Sequence, residues 1–274
     1  MFNLPNLLTA GNMLCGLMAI LCVFSGRLDF SLLFILIGAL LDFLDGFLAR
    51  MLKVSGELGK QLDSLADMVT FGLAPGIMTL QVIIVCINLD GPFYGMSFFE
   101  YAHFQLNNWM GTVFHGVPND MDASIKYLPF FGLLIPFFSM FRLAKFNIDS
   151  RQSESFIGLP TPINTIFFCF FPLLLWLNFG RETLISGWIM YLLSPYSIAA
   201  FSVGMSLLLI SELSLFSLKF KSFSWQVNQR RYIFLALCLI FVLFLCVWAI
   251  PLIVFLYIIM SLAFKNFNQK QNEI

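Results

Sequence analysis

Asp42-Phe43-Leu44-Asp45-Gly46-Phe47-Leu48-Ala49-Arg50, then eight residues, then Gly59-Lys60-Gln61-Leu62-Asp63-Ser64-Leu65-Ala66-Asp67, is the stretch that decides the fold. Its four aspartates lie in or beside segments otherwise apolar enough to span a bilayer. There each ionised carboxylate costs several kcal/mol unless something compensates it, which makes these residues functional candidates. At about 100° per residue, Asp42, Asp45, Gly46 and Ala49 share one face of one helix, and Gly59, Asp63 and Asp67 share one face of the next. A turn near Lys53 to Glu57 would set the two helices antiparallel with these faces together. Asp45 and Asp63 then lie roughly 8 to 10 Å from the turn, and Asp42 and Asp67 roughly 14 to 15 Å.

Four converging negative charges must take up protons or bind cations. Hard carboxylate oxygens suit Mg²⁺, Mn²⁺ or Ca²⁺, and two divalent ions would cancel the formal charge of the four acids. Gly46, Ala49 and Gly59 leave room for a ligand near the backbone, and Arg50 offers a planar fork suited to phosphate. The spacing therefore predicts a two-metal phosphate site. Close helix packing alone would explain the small residues but not four acids with one nearby base.

Working outward, the 274 residues are 59% hydrophobic and 11% charged, with a mean hydropathy of +0.88. A soluble domain needs far more polar surface, so the chain is expected to be an all-α polytopic membrane protein. Apolar length and flanking charge predict eight spans, roughly over 4–25, 30–52, 59–88, 127–146, 162–180, 196–215, 231–248 and 250–264. The first is expected to be retained, since no Lys or Arg precedes it and no small-residue cleavage pattern follows. Pro75 and Pro136 should kink the spans that carry them.

With the N-terminus and the 52–58 turn in the cytoplasm, only Arg27, Lys126 and Arg181 of the 15 basic residues fall outside. This positive-inside bias places the acidic site near the cytoplasmic face. The long loop of about 89–126, with Asp90, Glu100, Asp120 and Asp122, is then extracytoplasmic and has room for a short interfacial helix. His103 and His115 within it match no metal-ligand spacing. The six cysteines form no CxxC pair and read as packing residues, and zero net charge without a basic run argues against nucleic acid. Lys219 to Arg231 reads as a headgroup anchor.

The pattern Asp-x-x-Asp-Gly-x-x-Ala-Arg, eight residues, Gly-x-x-x-Asp-x-x-x-Asp resembles the signature of the CDP-alcohol phosphatidyltransferases with no position missing. Leu4-Pro5-Asn6-Leu7-Leu8-Thr9 with Asn12 and Gly16, the run from Leu62 to Pro75, Arg142-Leu143-Ala144-Lys145-Phe146-Asn147 and Gly158-Leu159-Pro160 resemble its phosphatidylserine synthase branch. Lys145 departs from that branch, which often has Arg there. The resemblance covers about residues 4–225. It implies a six-helix core (1–225), here followed by two additional C-terminal transmembrane helices and a tail (226–274), commonly paired as a homodimer in a bacterial cell membrane.

It further implies transfer of the phosphatidyl group of CDP-diacylglycerol to L-serine. Asp42, Asp45, Asp63 and Asp67 would hold Mg²⁺ or Mn²⁺, two ions in all, with Asp67 as catalytic base. Gly46, Ala49, Arg50 and Gly59 would line the CDP-diacylglycerol pocket, joined by Ser55 and, toward the cytidine, Asn6, Thr9 and Asn12. Arg142, then Lys145, are the candidates for the carboxylate of serine. Glycerol 3-phosphate or inositol phosphate as acceptor would use the same aspartates but call for an extra basic cluster. A cation transporter without catalysis would need polar residues across the outer halves of the second and third spans, and Phe30 to Leu41 and Thr70 to Asn88 hold almost none. The topology predicts that a reporter fused after Lys265 reads as cytoplasmic; an external signal from it would overturn the assigned orientation.

Overall fold

The computed structural model describes residues 3–54, 56–89, 95–118, 122–149, 155–180, 187–216 and 225–272. Asp90, Asp120, Arg151, Arg181, Lys219 and Lys221 lie outside them, as does Ser55. Among the described residues the secondary structure is helical except for one small ribbon. Helix α1 (Leu4–Phe24) opens where the side chain of Asn3 accepts from the Asn6 N–H, with Pro5 in the first turn, which has no intrahelical partner for a proline N–H to miss. A tight turn through Gly26 (φ +74°) leads into α2 (Leu28–Met51). Arg27 closes that turn, paired with Asp29 at 2.7 Å and lying over the rings of Phe30 and Phe99.

A second turn, with Lys53 at φ +55°, reverses the chain into α3 (Glu57–Asp67). Here the backbone does something the sequence did not announce. Met68–Leu73 is a π-helical segment, and α4 (Ala74–Ile87) follows with Pro75 at its start, so the proline sits where a helix tolerates it. The widened turn leaves carbonyl groups out of the regular ladder, and Thr165 donates to the Phe71 carbonyl at 2.9 Å. α4 is buried almost all round and forms the centre of the bundle.

The 89–126 region contains a 17-residue helix, α5 (Phe98–Phe114), longer than the short interfacial helix expected. It starts in a capping box between Ser97 and Glu100, and those bonds hold the Glu100 carboxyl below its usual range. His103 contacts the Phe24 carbonyl and Asn107. A short helix α6 (Ala123–Lys126) and a 3₁₀ turn (Leu128–Leu133) lead into α7 (Leu134–Ile148), which contains Pro136.

Strands β1 (Ser155–Ile157) and β2 (Ser214–Phe216) pair antiparallel, with Ser155 opposite Phe216. Between them run α8 (Thr161–Asn178), α9 (Trp188–Leu192) and α10 (Pro195–Ile210). The span expected over 196–215 is therefore a 16-residue helix, shorter than the roughly 20 residues needed to cross hydrocarbon upright. Its end is spent on pairing, as Gly158 donates to Leu213 and Leu159 to Leu208.

Among the described residues, six helical runs are long and apolar enough to cross a membrane: Leu4–Phe24, Leu28–Met51, Glu57–Ile87, Ser124–Ile148, Thr161–Asn178 and Arg231–Ala263. The last is folded back on itself as α11 (Trp225–Leu245) and α12 (Ala249–Asn272), joined by a turn at Cys246–Trp248. Phe234 and Tyr257 stand 23 positions apart yet their rings lie at 5.8 Å, which only a hairpin allows. The hairpin leans on α8 through Phe167–Phe255 and Phe170–Trp248 ring contacts. The architecture is thus an all-α integral membrane protein with an added C-terminal helical hairpin.

Two glycines let α1 and α2 close onto the π-helical segment. A Cβ on Gly16 would lie 2.8 Å from Thr70 Cα, and one on Gly38 would lie 2.7 Å from Thr70 Cγ2. Overpacking at such a contact costs about 1–3 kcal/mol or more. Gly16→Leu is expected to lower the unfolding temperature in detergent, whereas Gly204→Leu, with nothing within 4 Å of a built Cβ, should leave it near wild type.

Candidate active site

The site forms where α1, α2 and α3 meet at one end of the bundle. α2 supplies Asp42 and Asp45, and α3 supplies Asp63 and Asp67. One carboxylate oxygen from each of Asp42, Asp63 and Asp67 lies within 4.8 Å of the other two. Ligand oxygens around one divalent ion, at about 2.0–2.6 Å from it, stand up to about 4–5 Å apart, so the cluster fits a hard divalent cation. Asp45 is 5% exposed. Its Oδ2 accepts from the Thr9 hydroxyl at 2.5 Å.

Helix α1 is the part of the site that spacing within the acidic motif could not reveal. It packs on both α2 and α3 and holds their carboxylates from a third side. Asn12 Nδ2 donates to Asp67 Oδ1 at 3.5 Å, and Thr70 from the π-helical segment donates to the Asn12 carbonyl at 2.9 Å. Thr9 and Asn12 thus fix carboxylates, beyond the contact with cytidine that the sequence suggested for them. A periodic signal existed: Asn6, Thr9, Asn12 and Gly16 recur every three or four residues on one face of an otherwise apolar helix.

A cavity of about 280 Å³ opens above the cluster. Its wall contains Asn6, Thr9, Asp42, Asp45, Gly46, Ala49, Arg50, Gly59 and Asp63, all singled out from the sequence, together with Pro5, Val54, Gly56 and Lys60. Asp67 and Asn12 are not in the wall; Asp67 sits one turn further along α3 than Asp63. The small residues have visible uses. The Arg50 guanidinium folds back over Gly46, 3.7 Å from where a Cβ would stand, and Gly59 lets Asn6 Oδ1 approach to 3.4 Å of its own missing Cβ.

On the far side of Asp67, Arg142 of α7 is buried, stacks over the Phe146 ring at 4.9 Å and interacts electrostatically with Asp67. Among the described residues its Nε has no hydrogen-bond partner. Lys145 points elsewhere and pairs with Glu212 at 3.4 Å. The structure therefore places Arg142 within electrostatic range of Asp67 and leaves Lys145 at a separate surface contact. Ser55 lies outside the described residues. Lys60, whose charge counts toward the positive-inside bias, stands in the cavity wall.

The fold and site define a polytopic membrane protein with an acidic, metal-suited centre near one end of its bundle. The family model for CDP-alcohol phosphatidyltransferase matches residues 2–99, which contain all four aspartates. A CDP-diacylglycerol–serine O-phosphatidyltransferase of Bacillus subtilis is 31% identical over 163 residues, covering 58% of this chain and 69% of that protein. One of the same name from Helicobacter pylori is 29% identical over 164 residues, covering 59% of this chain and 54% of that protein. A CDP-diacylglycerol–glycerol-3-phosphate 3-phosphatidyltransferase of Aquifex aeolicus is 43% identical over 67 residues, covering 24% and 38%. The chain belongs to the CDP-alcohol phosphatidyltransferase family.

Groups that orient metal-binding residues commonly contribute about ten- to a hundredfold to metal affinity. Thr9→Val keeps the shape and removes the donor to Asp45. It is expected to weaken Mn²⁺ binding by at least about tenfold in calorimetric titration of the purified protein, and unchanged affinity would show that Asp45 needs no such support.

Proposed function

We propose that this protein transfers the phosphatidyl group of CDP-diacylglycerol to the hydroxyl of L-serine, giving phosphatidylserine and CMP. The observation that carries this reading is the mutual approach of Asp42, Asp63 and Asp67 below a cavity walled by Arg50. The serine half of the reading is supported by the two serine-transferase relatives, whose matches extend over far more of the chain than that of the glycerol-3-phosphate enzyme. Divalent ions, Mg²⁺ or Mn²⁺ and two in number, would when bound neutralise the pyrophosphate and stabilise charge on the departing CMP.

The chain's own residues do the rest. Arg50 holds phosphate oxygens, while Gly46, Ala49 and Gly59 leave space for the nucleotide, with Asn6 and Thr9 beside it. Asp67, steadied through one oxygen by Asn12, takes the proton of the serine hydroxyl as that oxygen attacks the phosphorus bearing diacylglycerol. The bond from that phosphorus to the CMP oxygen breaks, and CMP leaves with the electron pair. Arg142 supplies the positive charge for the serine carboxylate on the α7 side.

A second cavity supports a lipid donor. An apolar crevice of about 340 Å³ between α2 and α8, lined by Leu32, Leu36, Ala39 and Ile166 among others, begins one turn from Asp42. An acyl chain lying there would leave its headgroup at the carboxylates. In the proposed arrangement the site faces the cytoplasm of a bacterial cell membrane, the protein works as a homodimer, and residues 1–225 carry the chemistry while 226–274 add the hairpin.

The test is CMP release from CDP-diacylglycerol by protein purified in detergent with Mg²⁺ or Mn²⁺. L-serine, glycerol 3-phosphate and inositol phosphate are offered separately. Release is expected with L-serine alone and should be abolished by a chelator and reduced at least about a hundredfold by Asp67→Asn, the lower end of the range for losing a general base. Release with another alcohol would replace the acceptor, and none with any alcohol would overturn the transfer itself.

A further inference from the structure

Lys60 belongs to no part of the spaced acidic motif, yet the fold puts it in the carboxylate cavity. It sits in the first turn of α3, and Arg50 sits in the last turn of α2, so the two cations come from the helices that flank the turn between them. The Lys60 ammonium donates to the backbone carbonyl of Asn147, near the end of α7, at 2.8 Å. Among the described residues it has no carboxylate within ion-pairing distance, although Asp42, Asp45 and Asp63 share its cavity. A full positive charge with three donors is therefore resting on a neutral oxygen.

We propose that Lys60 is a second phosphate-binding residue, acting with Arg50, and that the Asn147 carbonyl is its resting partner. The bond to the carbonyl has an ionised donor but a neutral acceptor, whereas a phosphate adds the attraction of opposite charges, so a nucleotide phosphate entering the cavity draws the ammonium from the carbonyl. The same charge then meets the phosphate that CMP carries away, where negative charge accumulates during transfer. This inference rests on the phosphatidyl-transfer reading of the cavity and not on which alcohol accepts the group.

The experiment is CMP titrated into the purified full-length protein with MgCl₂, followed by calorimetry. Lys60→Met is expected to weaken CMP binding by about tenfold or more, the size of a lost charge-assisted bond, and Lys60→Arg to restore most of it. Lys60→Gln serves in its place if the Met variant is not monodisperse. Ser64→Ala cuts the other link between α3 and α7, the 2.8 Å bond from Asn147 Nδ2 to Ser64 Oγ, without touching the cavity. It should bind CMP as wild type does. Equal binding by Lys60→Met and wild type overturns the inference, and so does an equal loss in Ser64→Ala, which would make Lys60 a tether between helices. Wild-type protein that does not bind CMP removes the transfer reading together with this one; a wild type that binds beside an unaffected Lys60→Met removes this one alone.

Discussion

Mutual repulsion among the carboxylates of Asp42, Asp45, Asp63 and Asp67, in a setting that screens charge poorly, is the constraint on which the rest depends. No apolar packing would bring these groups together on its own account. They stay together because the α1–α2 and α2–α3 turns leave the chain few ways to arrange three helices, and because cations can replace the missing neutralisation. Stability lost at the site is offset by the wide apolar contact of α4 and α8, whose buried phenylalanines Phe167, Phe168, Phe170 and Phe171 pack edge to face.

The π-helical segment at Met68–Leu73 translates that packing into geometry. It begins immediately after Asp67, so the helix that presents the deepest carboxylate changes winding before it enters the core as α4. Thr70 ties the segment to α1, and Thr165 ties it to α8. Gly16 and Gly38 let both neighbouring helices approach Thr70 closely. The position of Asp67 is thereby set by contacts below it as well as by its side-chain contact with Asp42 across α2 and α3.

Cations are distributed with equal economy. Arg142 is buried against Phe146 beside Asp67, Arg50 lies along Gly46 in the cavity wall, and Lys60 rests on a carbonyl at the α3–α7 junction. Lys145, close in sequence to Arg142, is paired with Glu212 and takes no part. Net charge near the site thus depends on which helix face each basic residue occupies, not on how many are nearby along the chain.

The sequence by itself determined the membrane class, the helical architecture, the turn before α3 and the identity of the four acids, because hydropathy and a 3.6-residue repeat are local properties that survive in one dimension. The C-terminal hairpin was legible as two apolar segments, and the run of 33 residues over 231–263 is divided at Cys246, which adopts a positive φ. The tertiary structure alone decided what α1 does. Thr9 and Asn12 reach Asp45 and Asp67 across 36 and 55 positions, a distance that no spacing rule carries. It also decided that Arg142 and not Lys145 acts electrostatically on Asp67, that Lys60 joins the cavity, and that the sixth span ends early to form a ribbon with residues 155–157. Each of these depends on which faces of separate helices come together, and that is fixed by packing around the glycines and the π-helical turn, not by the order of residues along any one helix.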